Sequence, residues 1–498
     1  KTNTLIGTQG NGWASGYLYP GATYPFGMVQ FTPTYFTKQL GFVINQLSGA
    51  GCDHMGNFPT LPVAGALRVS PDSILNMQTP VGKEIGTAGY YAATVDHSIR
   101  AELTVTERTG MARYTFSSKE KQGTVIIGGG VAATPIQVAA IKITGPHSCE
   151  GYAEGGAFCG IPTPYKVYFV AEFDADAESF GTWKEERLHA NHTFAEGSHS
   201  GVYFTFPLKE GNQAVQYKIG VSYVSVENAR ENLRVENPAW DFSAVRQATQ
   251  DKWNEYLGKI EVEGDNEDRQ MQFYTHLYRS LIHPNVCSDV NGEYMGADSQ
   301  VHKTARKFYT SFSNWDTYRT QTALIAMLAP EETSDIVMSH YLFAQQSGGG
   351  FPRWVLANIE TGVMQGDPTP ILVANAYAFG ARNYDPRTLL RTMRYGAEVP
   401  GANSQGVLTR PGLEQYLEKG YYDASILLEY TSSDFAIGRF ALQACNDEPV
   451  CNWYTQRAMN WKNLFNKETG WLQSRNEDGS WKRYDADWRE STDRKSVV

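Results

Sequence analysis

The chain is short of charge and shorter still of cysteine. Asp, Glu, Lys and Arg make up only 19% of its 498 residues, and the formal net charge is −10. Such a balance lacks the basic face that binding a nucleic-acid backbone requires. No Lys/Arg run marks an anionic membrane surface, and no apolar run approaches the ~20 residues that span a bilayer. An integral membrane protein is therefore not expected. The six cysteines form no C-x-x-C pair and no Cys/His set with zinc spacing. Cys149 with Cys159, and Cys445 with Cys451, are near enough in sequence to close short loops, an option for an exported protein that spacing alone does not fix. The N-terminus KTNTLIGTQG has no apolar signal segment. The chain is thus either cytoplasmic or exported with its signal removed, and the second reading is preferred.

What is present is aromatic. Hydrophobic residues reach 41%, and Phe, Trp and Tyr 13%, with 29 Tyr, 11 Trp and 47 Gly. This composition belongs to a globular chain with β-rich parts and suits carbohydrate sites, although most of the rings must serve as core. From residue 1 to about 235 the pattern is β. Val215, Tyr217, Ile219, Val221 and Tyr223 alternate with Gln216, Lys218, Gly220 and Ser222, a period of two that predicts a strand with one wet face. Ala101–Thr106 and Met111–Phe116 flank a turn ending in Gly110, a hairpin signal, and Tyr165–Phe173 reads as a buried strand. Several such strands predict a sandwich. Two Gly-rich, aromatic loops, Gly16–Met28 and Leu47–Pro59, are candidates for binding. Residues 236–268 read as a helical connector. After 269 the pattern is helical, with candidates at Arg269–Ile282, Trp315–Leu328, Glu331–Gln346, Thr369–Phe379, Pro386–Tyr395, Ser425–Cys445 and Val450–Asn466. The expected organisation is a β-sandwich domain (1–235), a connector (236–268) and a helical domain (269–498) that fits part of an α/α toroid.

The chemistry concentrates in the helical half. In Ser311–Met327, Trp315, Tyr318, Thr322 and Ile325 fall on one helical face, with Asp316 and Arg319 just off it. An indole beside a carboxylate can stack on sugar C–H groups while the charge takes hydroxyl hydrogen bonds. The alternative is structural: Ser313-x-x-Asp316 is also a capping-box pattern, with Trp315 as core. Gly348–Trp354 is a Gly-rich bend leading to Pro352, Arg353 and Trp354, and no G-K-[ST] follows to make it a phosphate loop. Gly362–Asp367 offers Gln365 and Asp367 on a tight loop, and Asp434 reads as structural. Glu490, beside Trp488, could have its carboxyl raised toward general-acid duty by desolvation, against the charge of Arg489.

In order along the chain, these pieces resemble glycoside hydrolase family 92, the calcium-dependent exo-acting α-mannosidases. The resemblance rests on Tyr19-Pro20-Gly21-Ala22 with Pro25-Phe26-Gly27-Met28, on Leu47-Ser48-Gly49 with Gly51-Cys52, and on Phe273-Tyr274 through Pro284. It continues with Trp315-Asp316-Thr317 and Arg319, and with Pro352-Arg353-Trp354, Ala357-Asn358, Thr361-Gly362, Met364 and Gly366. Lys462-Asn463-Leu464-Phe465, Glu468-Thr469-Gly470 and Arg475–Gly479 complete it.

The resemblance implies an N-terminal β-sandwich on an (α/α)6 barrel with the site at their junction. It implies hydrolysis of terminal α-linked mannose from glycans with inversion. A carboxylic acid protonates the leaving oxygen, and a carboxylate ~6.5–9.5 Å away activates water on the opposite face. It implies Ca2+, an oxygen-seeking cation, and a secreted or periplasmic protein. Carried over, Trp315 and Asp316 fall on contacts to the non-reducing mannose, and Trp354 and Asp367 line the same pocket. Phe26, Cys52 and His54 come near the leaving sugar, with a loop hydrogen-bonding role as the alternative for His54. Glu490 falls on the general acid, although Ser491 stands where Gly is usual. Because the family continues well past this glutamate, an incomplete toroid is expected, with the general base beyond Val498 and the metal ligands unassigned. Two other readings stay open: an inactive mannose-binding fragment, and an inverting glycoside phosphorylase of similar build, for which no basic cluster is seen.

Overall fold

The computed structural model describes residues 1–8, 17–33, 41–72, 81–210 and 213–483. Two compact units emerge: Lys1–Met295 with Val301–Ser311, and Gly296–Gln300 with the chain from Phe312 onward. A sheet-rich region thus precedes a helical one, the order expected from the sequence.

The first unit is built on two antiparallel sheets. One runs, edge to edge, through Phe194–Glu196, Ile136–Gly145, Ser148–Phe158, Ile161–Phe173, Ala214–Ser222, Thr109–Thr115, Ile99–Val105, Tyr90–Val95 and Val81–Thr87. The other runs through Ala22–Thr23, Gln30–Pro33, Phe42–Val43, Thr60–Ala64, Gln122–Gly128, Ser200–Pro207, Ser179–Lys184 and Arg187–Ala190. Aromatic rings from the inner faces interleave, which explains their abundance. Phe173 of the first sheet lies 5.0 and 4.8 Å from Phe204 and Phe206 of the second, and Phe42 stacks at 6.4 Å on Tyr114. This is a sandwich whose core is largely ring against ring.

The outer face of the Ala214–Ser222 strand is drier than its alternation predicts. Lys218, Gly220 and Ser222 are all buried. The helix Val226–Glu236 lies over them, with Ala229 and Leu233 packed against Val170. Gly220 permits that approach: a Cβ there would come 2.3 Å from the Ala229 carbonyl oxygen and 2.8 Å from the Leu233 Cβ. Lys218 keeps its charge satisfied by donating to the Asn237 carbonyl at 3.0 Å and by sitting 4.0 Å over the Trp240 ring. The helices Phe242–Leu257 and Glu267–Ser280 also belong to this unit. Trp253 donates its indole N–H to the Thr23 carbonyl at 2.7 Å and packs 4.4 Å from the Tyr278 ring. The segment read as a connector therefore serves as cover for the sandwich, and the first unit continues past residue 235.

The second unit pairs helices around an apolar centre. Pro330–Ser347, Thr369–Ala378, Pro386–Glu398, Ala424–Cys445 and Glu448–Ala458 contribute Val337, Val373, Leu389, Met393, Ile437, Phe440 and Tyr454 to one buried cluster. Beside it lies a buried ionic network. Arg410 donates to Asp367 at 2.8 Å and to Asp434 at 2.7 Å, Arg457 donates to Asp434 at 2.7 Å, and the Tyr416 hydroxyl adds a bond to Asp434 at 2.7 Å. Burial alone would raise the Asp434 carboxyl, but Arg410 and Arg457 hold it below the usual carboxylate range. Asp434 is thus structural, as its place within a helical segment suggested. Removing its charge leaves two guanidinium groups buried without their shared anion. We expect Asp434→Asn to cost about 3–5 kcal/mol in urea unfolding. A loss below about 1 kcal/mol, the scale of a surface pair, would remove the network from any central role.

Candidate functional site

The Trp315–Leu328 segment does not form the single helix its spacing predicts. It breaks into Asn314–Thr317 and Gln321–Leu328. Thr322 donates its hydroxyl to the Thr317 carbonyl at 3.1 Å, a side-chain bond that competes with the helical ladder across the break. The capping box is not formed either. Ser313 makes no side-chain cap; its hydroxyl donates to the Asp316 carboxylate instead. Asn314 anchors the short turn by donating to Thr369 Oγ1 at 2.8 Å and to the Pro352 carbonyl at 3.2 Å.

On this turn Trp315 is half-buried and Asp316 is exposed. The Trp315 indole N–H donates to Glu429 Oε1 at 3.2 Å, from the helix Ala424–Cys445. Burial pushes the Glu429 carboxyl above the usual range, with the indole bond and the Arg319 charge opposing. Arg319, also exposed, lies 5.4 Å over the Tyr318 ring. An aromatic plane, two carboxylates and a guanidinium therefore gather on one part of the second unit. That set can stack on a sugar ring and bond its hydroxyls.

Trp354 and Asp367 support this cluster from beneath. Trp354 is buried in the strand Trp354–Leu356, which pairs with Phe312–Ser313 directly before the turn. Its N–H and those of Arg353 and Gly362 all donate to the Glu360 carboxylate, at 3.3, 2.7 and 3.0 Å. Arg353 in turn donates to the Val363 and Gly366 carbonyls at 3.2 and 3.0 Å. Asp367 is buried at 4% exposure and bonded to Arg410. As placed, it belongs to the ionic network through Oδ2, which accepts from Arg410 at 2.8 Å.

The first-unit residues are organised differently. Phe26 is fully buried, edge-on to Tyr256 and Tyr309 at ring distances of 6.2 and 6.4 Å. Cys52 is bonded to Cys159, with their Cα atoms 5.2 Å apart. The short-loop pairings suggested by spacing do not form. Cys149 and Cys159 stand at opposite ends of the extended strand Ser148–Phe158, roughly 33 Å of chain at 3.3 Å per residue. Cys149, Cys445 and Cys451 are buried free thiols. His54 is fully buried and works as the loop hydrogen-bonder. Its Nδ1–H donates to the Cys52 carbonyl and its Nε2 accepts from the Leu47 N–H, both at 2.7 Å. The next N–H, of Ser48, donates to His283 Nε2 at 2.8 Å, while His283 Nδ1–H donates to Asn285 Oδ1 at 2.7 Å. Two neutral imidazoles thus clamp consecutive peptide groups of the Leu47–Pro59 loop.

Glu490 lies outside the described residues. The clearest omission of the sequence reading is Glu429, whose signal was a lone carboxylate in the apolar run Ile426–Tyr430. Glu360 and Arg410 were also missed. Among the described residues no group of three or more His, Cys, Asp or Glu is placed to hold a metal ion.

Burial lowers His54 and His283 from 6.5 to about 4. The unfolded chain then takes up protons that the folded loop refuses. The clamp's contribution is complete above pH ~6.5 and is lost as pH falls toward ~4. Acid titration of thermal stability should fall across that window, and the double variant His54→Gln/His283→Gln should flatten the slope. An unchanged slope in the variant would overturn the neutral clamp.

The comparisons with known proteins agree with this organisation. The Glycosyl hydrolase family 92 N-terminal domain matches residues 2–222, and the Glycosyl hydrolase family 92 catalytic domain matches residues 228–496. A protein of Arthroderma benhamiae named an uncharacterized secreted glycosidase is 25% identical, covering 96% of this chain and 65% of that protein. Among solved structures, a family GH92 inverting mannosidase of Bacteroides thetaiotaomicron superposes with a TM-score of 0.87 at 25% identity, covering 97% of this chain and 67% of that one. A family GH92 α-mannosidase of the same organism gives 0.87 at 24% identity, with the same coverage. The chain spans about two-thirds of the length of these relatives. Both of its parts are matched in order, and this chain belongs to glycosyl hydrolase family 92.

Proposed function

We propose that this chain carries the sugar-recognising part of an exo-acting α-mannosidase, one that releases terminal α-linked mannose from glycans with inversion. The observation that carries the reading is the Trp315–Asp316 turn: a half-buried indole fixed by Glu429, with an exposed carboxylate beside it. The relatives named as mannosidases support the choice of sugar. In this reading the indole face packs on sugar C–H groups, and the hydroxyls bond Asp316. Trp354 and Asp367 hold the floor through Glu360 and Arg410. Glu490 protonates the leaving oxygen, for which a raised carboxyl pKa is suited. Water attacks from the opposite face, and no general base is assigned within residues 1–498.

Calcium dependence belongs to the same proposal. The described residues supply no cluster to test as its ligand set, so no step is routed through the ion. Secretion is supported by the relative named a secreted glycosidase and by the Cys52–Cys159 bond, since disulfides persist in oxidising compartments. Among the described residues no helix is long and apolar enough to cross a membrane.

Proton NMR with α-1,2-mannobiose, with calcium and then with chelator, tests the reading on this chain extended to the length of its relatives, where a general base can be supplied. The expected outcome is β-mannose as the first product, lost on chelation. Glu490→Gln should lower turnover by about 10²–10⁴-fold while leaving the unfolding midpoint unchanged. Release of α-mannose first would overturn inversion, and turnover indifferent to chelator would overturn the metal requirement. Binding without turnover would favour a mannose-binding chain.

A further inference from the structure

Glu429 has a second oxygen that the Trp315 bond does not use. Oε1 accepts the indole N–H at 3.2 Å. Oε2 has no hydrogen-bond partner among the described residues and is not enclosed. The side chain is nevertheless held in place from two directions. The helix Ala424–Cys445 fixes its Cα, and one turn later Ser433 donates its hydroxyl to the Glu429 carbonyl at 3.0 Å and is bonded to the Asp367 carbonyl. From the other side, Gly366 presses on the Glu429 stem. A Cβ at Gly366 would lie 2.7 Å from Glu429 Cβ, 2.9 Å from Cγ and 3.3 Å from Cδ, and its φ of +80° already favours glycine. The backbone of the Gly362–Asp367 loop therefore packs against the carboxylate's stem, while Oε2 is neither hydrogen-bonded nor enclosed among the described residues.

A half-buried carboxylate fixed by its neighbours, with one oxygen occupied and the other open beside an indole, is built to accept a hydroxyl hydrogen bond with little loss of side-chain freedom. We propose that Glu429 is a second sugar-binding carboxylate of the site: Oε1 orients the Trp315 ring and Oε2 accepts one hydroxyl of the sugar stacked on that ring. The proposal rests on the sugar-binding reading of the Trp315–Asp316 turn. It adds a residue from a different helix, so that the site recognises hydroxyls from two carboxylates on separate elements.

The two functions of Glu429 are separable. Gln at this position keeps a carbonyl oxygen for the indole but removes the charge from the hydroxyl contact. Ala removes both. The experiment measures binding of methyl α-mannoside and its 2-, 3-, 4- and 6-deoxy analogues to wild type, Glu429→Gln and Glu429→Ala by calorimetry, with the Trp315 indole N–H resonance followed in parallel. Glu429→Gln should bind the mannoside at least about tenfold more weakly while the indole resonance stays near its wild-type position. Glu429→Ala should weaken binding further and shift that resonance. One deoxy analogue should lose affinity for wild type and lose nothing more against Glu429→Gln, identifying the hydroxyl that Oε2 accepts. Equal losses for every analogue in both proteins would overturn the assignment, as would wild-type affinity in both variants. Methyl α-glucoside and methyl α-galactoside serve as comparators. If wild type prefers one of them and the same variant-by-analogue pattern appears, the mannose reading fails and the Glu429 assignment stands. If wild type binds none of the three glycosides, both fall.

Discussion

The shared anion at Asp434 sets the geometry of the second unit. Two guanidinium groups, Arg410 and Arg457, and one phenol converge on a carboxylate with no exposure to water. Burying such a group is costly unless all its partners are present, so the elements that carry them have little freedom to move apart. Arg410 extends the constraint to Asp367, and Ser433 ties the Asp367 carbonyl to the helix Ala424–Cys445. The Gly362–Asp367 loop is thereby held against that helix, which places Gly366 on the stem of Glu429 and leads on to the indole of Trp315. A buried network thereby fixes where the exposed cluster stands. Asp367, which the family resemblance places on the sugar pocket, is bonded within this network.

The first unit fixes its Leu47–Pro59 loop with uncharged groups. His54 and His283 are each arranged as one donor and one acceptor, and each is bonded at both nitrogens. A protonated ring would turn an N–H toward the N–H of Leu47 or Ser48. Burial and hydrogen-bond direction therefore act together, and the loop tolerates only the neutral tautomer with its proton on Nδ1. The Cys52–Cys159 bond fastens the same loop to the end of the Ser148–Phe158 strand. Rings interleaved between the sheets supply the apolar ground beneath.

Much of this organisation is legible in the sequence because it follows from periodicity. The alternation at Val215–Tyr223, the hairpin around Gly110 and the helices at Pro330–Ser347, Pro386–Glu398 and Ala424–Cys445 all emerge close to where the pattern places them. What periodicity misses is what another element does to a face. Lys218 and Ser222 read as wet and are dry, because a helix later in the chain covers them. The disulfide is missed for a related reason: its partners are 107 residues apart, on a loop and at a strand end that meet only in the folded unit. In the site, Trp315 and Asp316 are legible as a motif. Glu429 is not, since its local signal, a lone carboxylate in an apolar run, does not reveal that it meets an indole 114 residues away.

The break in the helix after Thr317 bears most directly on function. In a continuous helix Trp315 would join Tyr318, Thr322 and Ile325 on one stripe and be drawn into whatever buries that stripe. As folded, the stripe ends with the Gln321–Leu328 helix, where Ile325, Ala326 and Leu328 are buried. The turn Asn314–Thr317 is held instead from its first residue. Asn314 is buried, bonds Pro352 and Thr369, and has His340 Nε2 3.0 Å from its side-chain oxygen. Trp315 and Asp316 are thereby freed from the demands of core packing. Their direction is set by a polar anchor behind them and a carboxylate in front, both fixed before any ligand arrives. In the proposed reading, preorganisation of this kind lets one aromatic plane and a few hydroxyl acceptors hold a small, heavily hydrated sugar, because little ordering remains to be done on binding.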